Sequence, residues 1–309
     1  MRSLADLRNF CAYIIHKYGS PSGATEEDKA WEFRKLYLHN FPLDLKTLRA
    51  IALVCGIDVN GVDGKKLPQN IRGYHVVFGD RRNIYYKNGD TVSGIENTIL
   101  HEFREMIEPV FAELCSDYSA LRTSALHLAA NKFATAVLLP KDAFRDKVYE
   151  TGFDVVALSK LYAKSCSQVL LRMGEVLQGS IFMYSALYEE GPEVGSWTVN
   201  YWTASANDHD PEANIYGGDG LFPRKGKAVM PGSLVDMVIK EHRPFLGRRI
   251  SVLESRDDDS LVALAIPVPV NGSPAKVILI SMLSYNIKLI QPQIDRLKPV
   301  IIEGFHRHL

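Results

Sequence analysis

The chain has 309 residues, 46% of them apolar and 23% charged, a size and balance that suit a soluble protein of two or three domains with a substantial core. Lys+Arg and Asp+Glu are equal at 36 each, so the formal net charge is zero, which argues against binding by broad phosphate neutralisation. No apolar run approaches the roughly 18 residues of a membrane span, and the charged amino terminus lacks the pattern of a signal peptide.

Along the chain, residues 1–90 read as helices followed by a short β region. Leu45, Leu48, Ile51 and Leu53 mark a helix with Gly56 as its stop. Gly73–Gly79 and Asn83–Lys87 read as a hairpin or two edge strands. Ser93 and Glu96 have capping-box spacing, so a helix should start near Gly94 and run to Glu108, where Pro109 should kink or end it. A further helix is expected from Tyr118 to Leu138, closed by Pro140. Residues 154–173 have a helix–turn–helix rhythm, with Val155, Leu158, Leu161, Val169 and Met173 filling the inner corner. Beyond Gly179 the texture becomes strand-like: a strand at 196–203, a polar loop from Ala206 to Lys227, and a helix at 233–241. A hairpin follows at 261–270 and 275–282 around Asn271-Gly272, with prolines suggesting edge positions or bulges, and a last helix from Ile287 to Phe305. Cys11, Cys55, Cys115 and Cys166 form no CxxC pair and read as free thiols of a cytoplasmic protein.

The helix carrying His101, Glu102 and Glu105 holds the chemistry. Ile99, Phe103, Met106 and Val110 share one side of it; His101 and Glu105 lie one turn apart on the other, with Glu102 on their flank. The better-known form of this pattern is His-Glu-x-x-His, in which two histidines bind zinc and the glutamate activates water. Here the last position is glutamate. On the next helix His127 shares a face with Ala120, Ser124, Asn131 and Ala134, small residues that permit close approach. His101, Glu105 and His127 then form a candidate set of two imidazoles and one carboxylate for zinc or another divalent transition metal. Arg104 and Glu108 read as surface residues, and the scattered His209, His242, His306 and His308 as exposed. Tyr85 or Tyr86 is a weak candidate oxyanion donor.

Ala130-Asn131, Phe133-Ala134, Leu138-Leu139 and Pro140, after the His-Glu-x-x-Glu helix and a β region containing Ile84–Tyr86, resemble the motifs of the ImmA/IrrE metallopeptidases over residues 40–178. The resemblance implies an α+β fold: a mainly helical zincin-like core with a small sheet (1–145), a helix–turn–helix-like segment (146–178) and an antiparallel-sheet, GAF-like sensor domain (179–309). It places the family's first histidine on His101 and its catalytic base on Glu102. The family's second histidine falls on Glu105 and its glutamate ligand on His127, so the ligand types have exchanged places. The implied activity is zinc-dependent endopeptidase cleavage of a protein, such as a helix–turn–helix repressor in a stress or regulatory response, with a small-molecule effector at the sensor domain. The alternative is an inactive pseudo-peptidase acting as a regulatory binding protein. Ser167, Gln168 and Arg172 offer no basic cluster, which argues against direct DNA binding.

Overall fold

The computed structural model describes residues 3–38, 43–68, 71–191, 193, 195–205, 223–249, 261–270 and 273–303. The chain is α+β and divides into two compact units, Met1–Lys141 and Asp142–Leu309.

The first unit contains α1 (Ser3–Tyr18), α2 (Glu26–Phe33), α3 (Leu45–Val54), β1 (Ile57–Val62), β2 (Gly73–Phe78), β3 (Arg81–Lys87), α4 (Val92–Leu114) and α5 (Thr123–Leu138). Its sheet has the order β1-β3-β2, with β1 parallel and β2 antiparallel to the central β3. One phenylalanine from each of four helices builds the core. Phe33 of α2 lies edge-on to Phe10 of α1, Phe103 of α4 and Phe133 of α5, with ring centroids 6.1, 5.1 and 5.7 Å away.

α4 departs from expectation at both ends. Thr91, not Ser93, is the N-cap, accepting from Gly94 N at 3.1 Å, so the helix begins at Val92. It also runs through Pro109 to Leu114, although that proline cannot donate to the Glu105 carbonyl. Burial of Ile107, Glu108 and Phe111 on either side outweighs the lost hydrogen bond. α5 starts at Thr123, later than its periodicity suggests, because the preceding turn is tied to α4: Tyr118 OH and Leu121 N both donate to Glu108 Oε1, at 2.6 and 2.7 Å. Ala120 therefore lies before the helix.

Arg104 and Glu108 are not surface residues; their relative exposures are 0% and 2%. The Arg104 guanidinium meets Glu26 at 2.7 and 2.9 Å and Glu108 at 2.8 Å, while buried Lys29 meets Glu26 at 2.8 Å. Two cations and two carboxylates cancel, and the network joins α2, α4 and the turn before α5. Burial alone would raise the Glu108 pKa, but the Leu121 amide, the Tyr118 hydroxyl and Arg104 together hold it below the usual range.

The second unit contains α6 (Lys141–Glu150, whose first residue precedes the division), α7 (Val155–Tyr162), α8 (Cys166–Leu177), β4 (Met183–Glu190), β5 (Trp197–Ser205), α9 (Leu234–Glu241), β6 (Phe245–Arg249), β7 (Leu261–Val270), β8 (Ser273–Leu283), α10 (Gln291–Leu297) and β9 (Val300–Glu303). The six-stranded sheet has the order β5-β4-β8-β7-β6-β9 and is antiparallel except where β9 joins β6. Leu234, Val235 and Val238 of α9 pack on Tyr184, Ala186, Ala263, Ala265 and Leu279 of one face. Asp154 and Ser165 cap α7 and α8; Val155, Leu158, Val169 and Met173 are buried between elements, whereas Leu161 is exposed. β7 is an interior strand, not an edge. It tolerates Pro267 and Pro269 because β6 pairs only with residues 261–265, and the register shifts between Val268 and Pro269. The expected long last helix is instead a 3-10 stretch, α10 and β9. Lys298 adopts φ 47° as the C-cap, and Pro299 cannot continue a helix. The Asn271-Gly272 turn, most of the 206–227 loop, and His209, His306 and His308 lie outside the described residues. All four cysteines are free, Cys115 and Cys166 being only half-buried. No described helix is long and apolar enough to cross a membrane.

Arg104→Ala removes the cation shared by buried Glu108 and half-buried Glu26, leaving Glu108 with only neutral donors, so it should lower the stability of the first unit by about 3 kcal/mol, read by hydrogen exchange of α4 amides. Because Glu108 titrates below its ordinary 4.5 in the fold, its stabilising contribution is complete above that pH and is lost as the pH falls through the lower folded value. Acid titration should therefore loosen this unit below pH 4.5, and Glu108→Gln should flatten that dependence.

Candidate metal centre

Thr98, His101, Glu102 and Glu105 follow i, i+3, i+4, i+7 spacing and line one stripe of α4, facing His127 and Asn131 of α5. With Ile71–His75 and Asn97 they bound a cleft of about 540 Å³. Fully buried Ala130 and Ala134 keep α5 close to α4. Strand β2 forms the other wall, and Gly73 sets its distance from α4: a Cβ there would come within 2.4 Å of Thr98 Cγ2 and of the Tyr85 carbonyl oxygen.

The structure brings the three ligand candidates together. His127 Nδ1 lies 2.7 Å from Glu105 Oε1, His101 Nε2 lies 3.1 Å from the same oxygen, and the two imidazole nitrogens are 3.1 Å apart. Donors bound to one ion at about 2.0–2.2 Å in a tetrahedral shell stand roughly 3.4 Å apart. These atoms are somewhat closer, and the His127 side chain, 58% exposed, has freedom to open the set. His101 Nδ1 is 2.9 Å from Asn131 Oδ1. When Nδ1 donates to that amide oxygen, the neutral ring leaves Nε2 with a bare lone pair toward the other two donors. A carboxylate oxygen and two ring nitrogens that converge in this way suit a cation between them.

The local electrostatics agree. Burial disfavours the His101 imidazolium, but the hydrogen bond and charge of Glu105 outweigh it and raise the His101 pKa. Glu105 is pushed up by burial but drawn below the usual carboxylate range by its bond to His101 and the charges of His101, His127 and His75. The donor set of two imidazoles and one carboxylate, with open cleft beside it, fits zinc or a similar divalent ion.

Glu102, 7% exposed, lies beside this set and meets a residue that the sequence reading did not single out. His75 Nδ1 of β2 is 2.6 Å from Glu102 Oε2 and 3.7 Å from Glu105 Oε2. Its signal in the sequence was a lone ionisable side chain among Tyr74, Val76, Val77 and Phe78 in a predicted strand. Tyr85 and Tyr86 do not line the cleft: Tyr86 OH bonds to Arg49, and Tyr85 stacks on Tyr74. His242 is exposed and caps α9 with φ 57°.

No family model matches the chain, and no curated protein matches it. Among solved structures, a Mycobacterium tuberculosis transcriptional regulator is similar over 96% of this chain and 88% of its own, with a TM-score of 0.53 at 14% identity, a likeness of fold. The GAF domain of A. aeolicus nlh2 in an inactive state matches 47% of this chain and 90% of its own at 13% identity, with a TM-score of 0.30. A type II free methionine-R-sulfoxide reductase from Thermoplasma acidophilum matches 40% of this chain and 82% of its own at 12% identity, with a TM-score of 0.25. Neither of the latter two is close enough to support an argument.

The protein loaded with zinc should retain a stoichiometric amount through dialysis. His127→Ala should lower its affinity by more than the 10–100-fold typical of losing an outer partner, measured by metal analysis against a graded chelator.

Proposed function

We propose that this chain is a metal-dependent endopeptidase of the ImmA/IrrE type with a zincin-like core. Its substrate in this reading is a protein, a helix–turn–helix transcriptional repressor being the expected class, and its second unit is a GAF-like sensor whose small-molecule effector adjusts cleavage. The observation that carries the reading is the convergence of His101 Nε2, His127 Nδ1 and Glu105 Oε1, with His101 Nδ1 within hydrogen-bond distance of Asn131. The exchange of ligand types relative to the family pattern preserves the ligand set, which supports a working site over a decayed one.

A divalent ion held by these residues would supply Lewis-acid polarisation of a carbonyl and acidify a nearby water. The chain's own residues do the rest. Glu102, in the same cleft, is placed to take a proton from water and return it to the leaving amine. β2 is an edge strand of its sheet, the one that walls the cleft, so its outer backbone groups are free of a ladder partner among the described strands, which suits pairing with an extended peptide. Arg172, the one basic side chain of α8, is 2% exposed and pairs with Glu175 at 3.0 Å, so it is not presented to phosphate.

A pseudo-peptidase that regulates by binding alone is the second reading, suggested by the fold shared with a protein described as a transcriptional regulator. Glu102→Gln separates the two. With metal content unchanged, it should reduce cleavage of a co-encoded helix–turn–helix repressor by about 10²–10⁴-fold, followed by gel and mass spectrometry. If Glu102→Gln leaves every cellular effect intact, the binding reading replaces the peptidase one.

A further inference from the structure

We propose that His75 is a positioning residue: it donates a hydrogen bond from β2 to Glu102 and holds that carboxylate turned toward the water-bearing side of the cleft. The inference rests on the peptidase reading for its catalytic consequence, though not for the pairing itself.

The geometry is specific. Glu102 is a buried side chain on α4, and the 2.6 Å approach of His75 Nδ1 to its Oε2 restrains the carboxylate from across the cleft. That length is typical of a hydrogen bond in which one partner is charged. His75 comes from another element, so its position depends on how closely β2 meets α4. The Gly73 contact with Thr98, two residues along the strand, sets that separation. Among the described strands β2 is laddered to β3 alone, with His75 opposite Ile84, whose side chain is fully buried and anchors the register. A rigid sheet thus supports the carboxylate of a helix across the cleft, the kind of support a proton-transfer group needs when a misplacement of about 1 Å can cost about 100-fold in rate.

His75, Glu102 and Glu105 also lie close enough together to suggest a second ion. Charge decides against it. The cleft lining carries two carboxylates and the Arg72 guanidinium, a net charge of about −1, so one divalent ion already makes it positive and a second would raise it to about +3.

The test uses the full chain. In zinc titrations, His75→Ala should retain one equivalent of metal with affinity within about tenfold of the wild type, at the weak end of what loss of an outer partner does. Nitrogen-15 histidine NMR should show His75 as the Nδ1-protonated species in the wild type and lose that signature in Glu102→Ala. With a fluorogenic peptide library, His75→Ala should lower kcat by about 10–100-fold with KM little changed, and His75→Asn, which keeps an N–H near the same place, should recover most of the loss. Two equivalents of zinc in the wild type, falling to one in His75→Ala, would overturn the proposal in favour of a ligand role. An NMR signature indifferent to Glu102, or an unchanged kcat, would overturn it outright. If the wild type binds no metal and cleaves nothing, the peptidase reading fails and the NMR arm still decides the pairing.

Discussion

The buried exchange of charge between Arg104, Lys29, Glu26 and Glu108 is the constraint on which the first unit's site depends. Each of these groups would be costly to bury alone, and together they are neutral and hydrogen-bonded, so the elements that carry them are held in mutual register. Glu108 also receives Tyr118 and Leu121, which fixes where α5 can begin. The start of α5 in turn sets the height at which His127 faces His101. The ligand candidates make few of these contacts themselves; they lie on elements whose positions are settled one turn away, at Arg104 and Glu108.

A second consequence concerns the exchange of residue types between the two helices. On α4, histidine followed four residues later by glutamate places both donors on one stripe. The missing imidazole comes from α5, whose buried Ala130 and Ala134 let the helices approach. A carboxylate and an imidazole differ in length and charge but not in their capacity to donate a lone pair, so a close helix pair can accept them in either order. Asn131 completes the logic: it lies four residues beyond His127, lines the same cleft, and offers its amide oxygen to His101 Nδ1, the nitrogen turned away from the other two donors.

Much of the fold was legible locally. The hairpin of β2 and β3, the capped helices around Asp154 and Ser165, and the apolar alternation of β7 and β8 follow from short-range periodicity and turn chemistry. Most of the misreadings share one cause. Pro109 within α4, the late start of α5 and the burial of Arg104 are each decided by partners distant in sequence or by burial that outweighs local preference, whereas the division of the last helix at Lys298 is local, set by its left-handed cap and Pro299. His75 belongs to the same class: as one histidine in a strand it gave no spacing signal, and its meaning appears only where β2 crosses α4.

The amino-acid sequence by itself determined the donor types, their helical stripe and the overall α+β alternation, because these depend on the repeat of 3.6 or 2 residues and on the chemistry of each side chain. Only the tertiary structure decided that the ring of residue 127 comes within bonding reach of residues 101 and 105, that a strand histidine engages Glu102, and that an arginine beside the ligands is buried rather than solvated. Those outcomes depend on distances of a few ångströms between elements, which packing volume and buried charge set jointly and no single segment encodes.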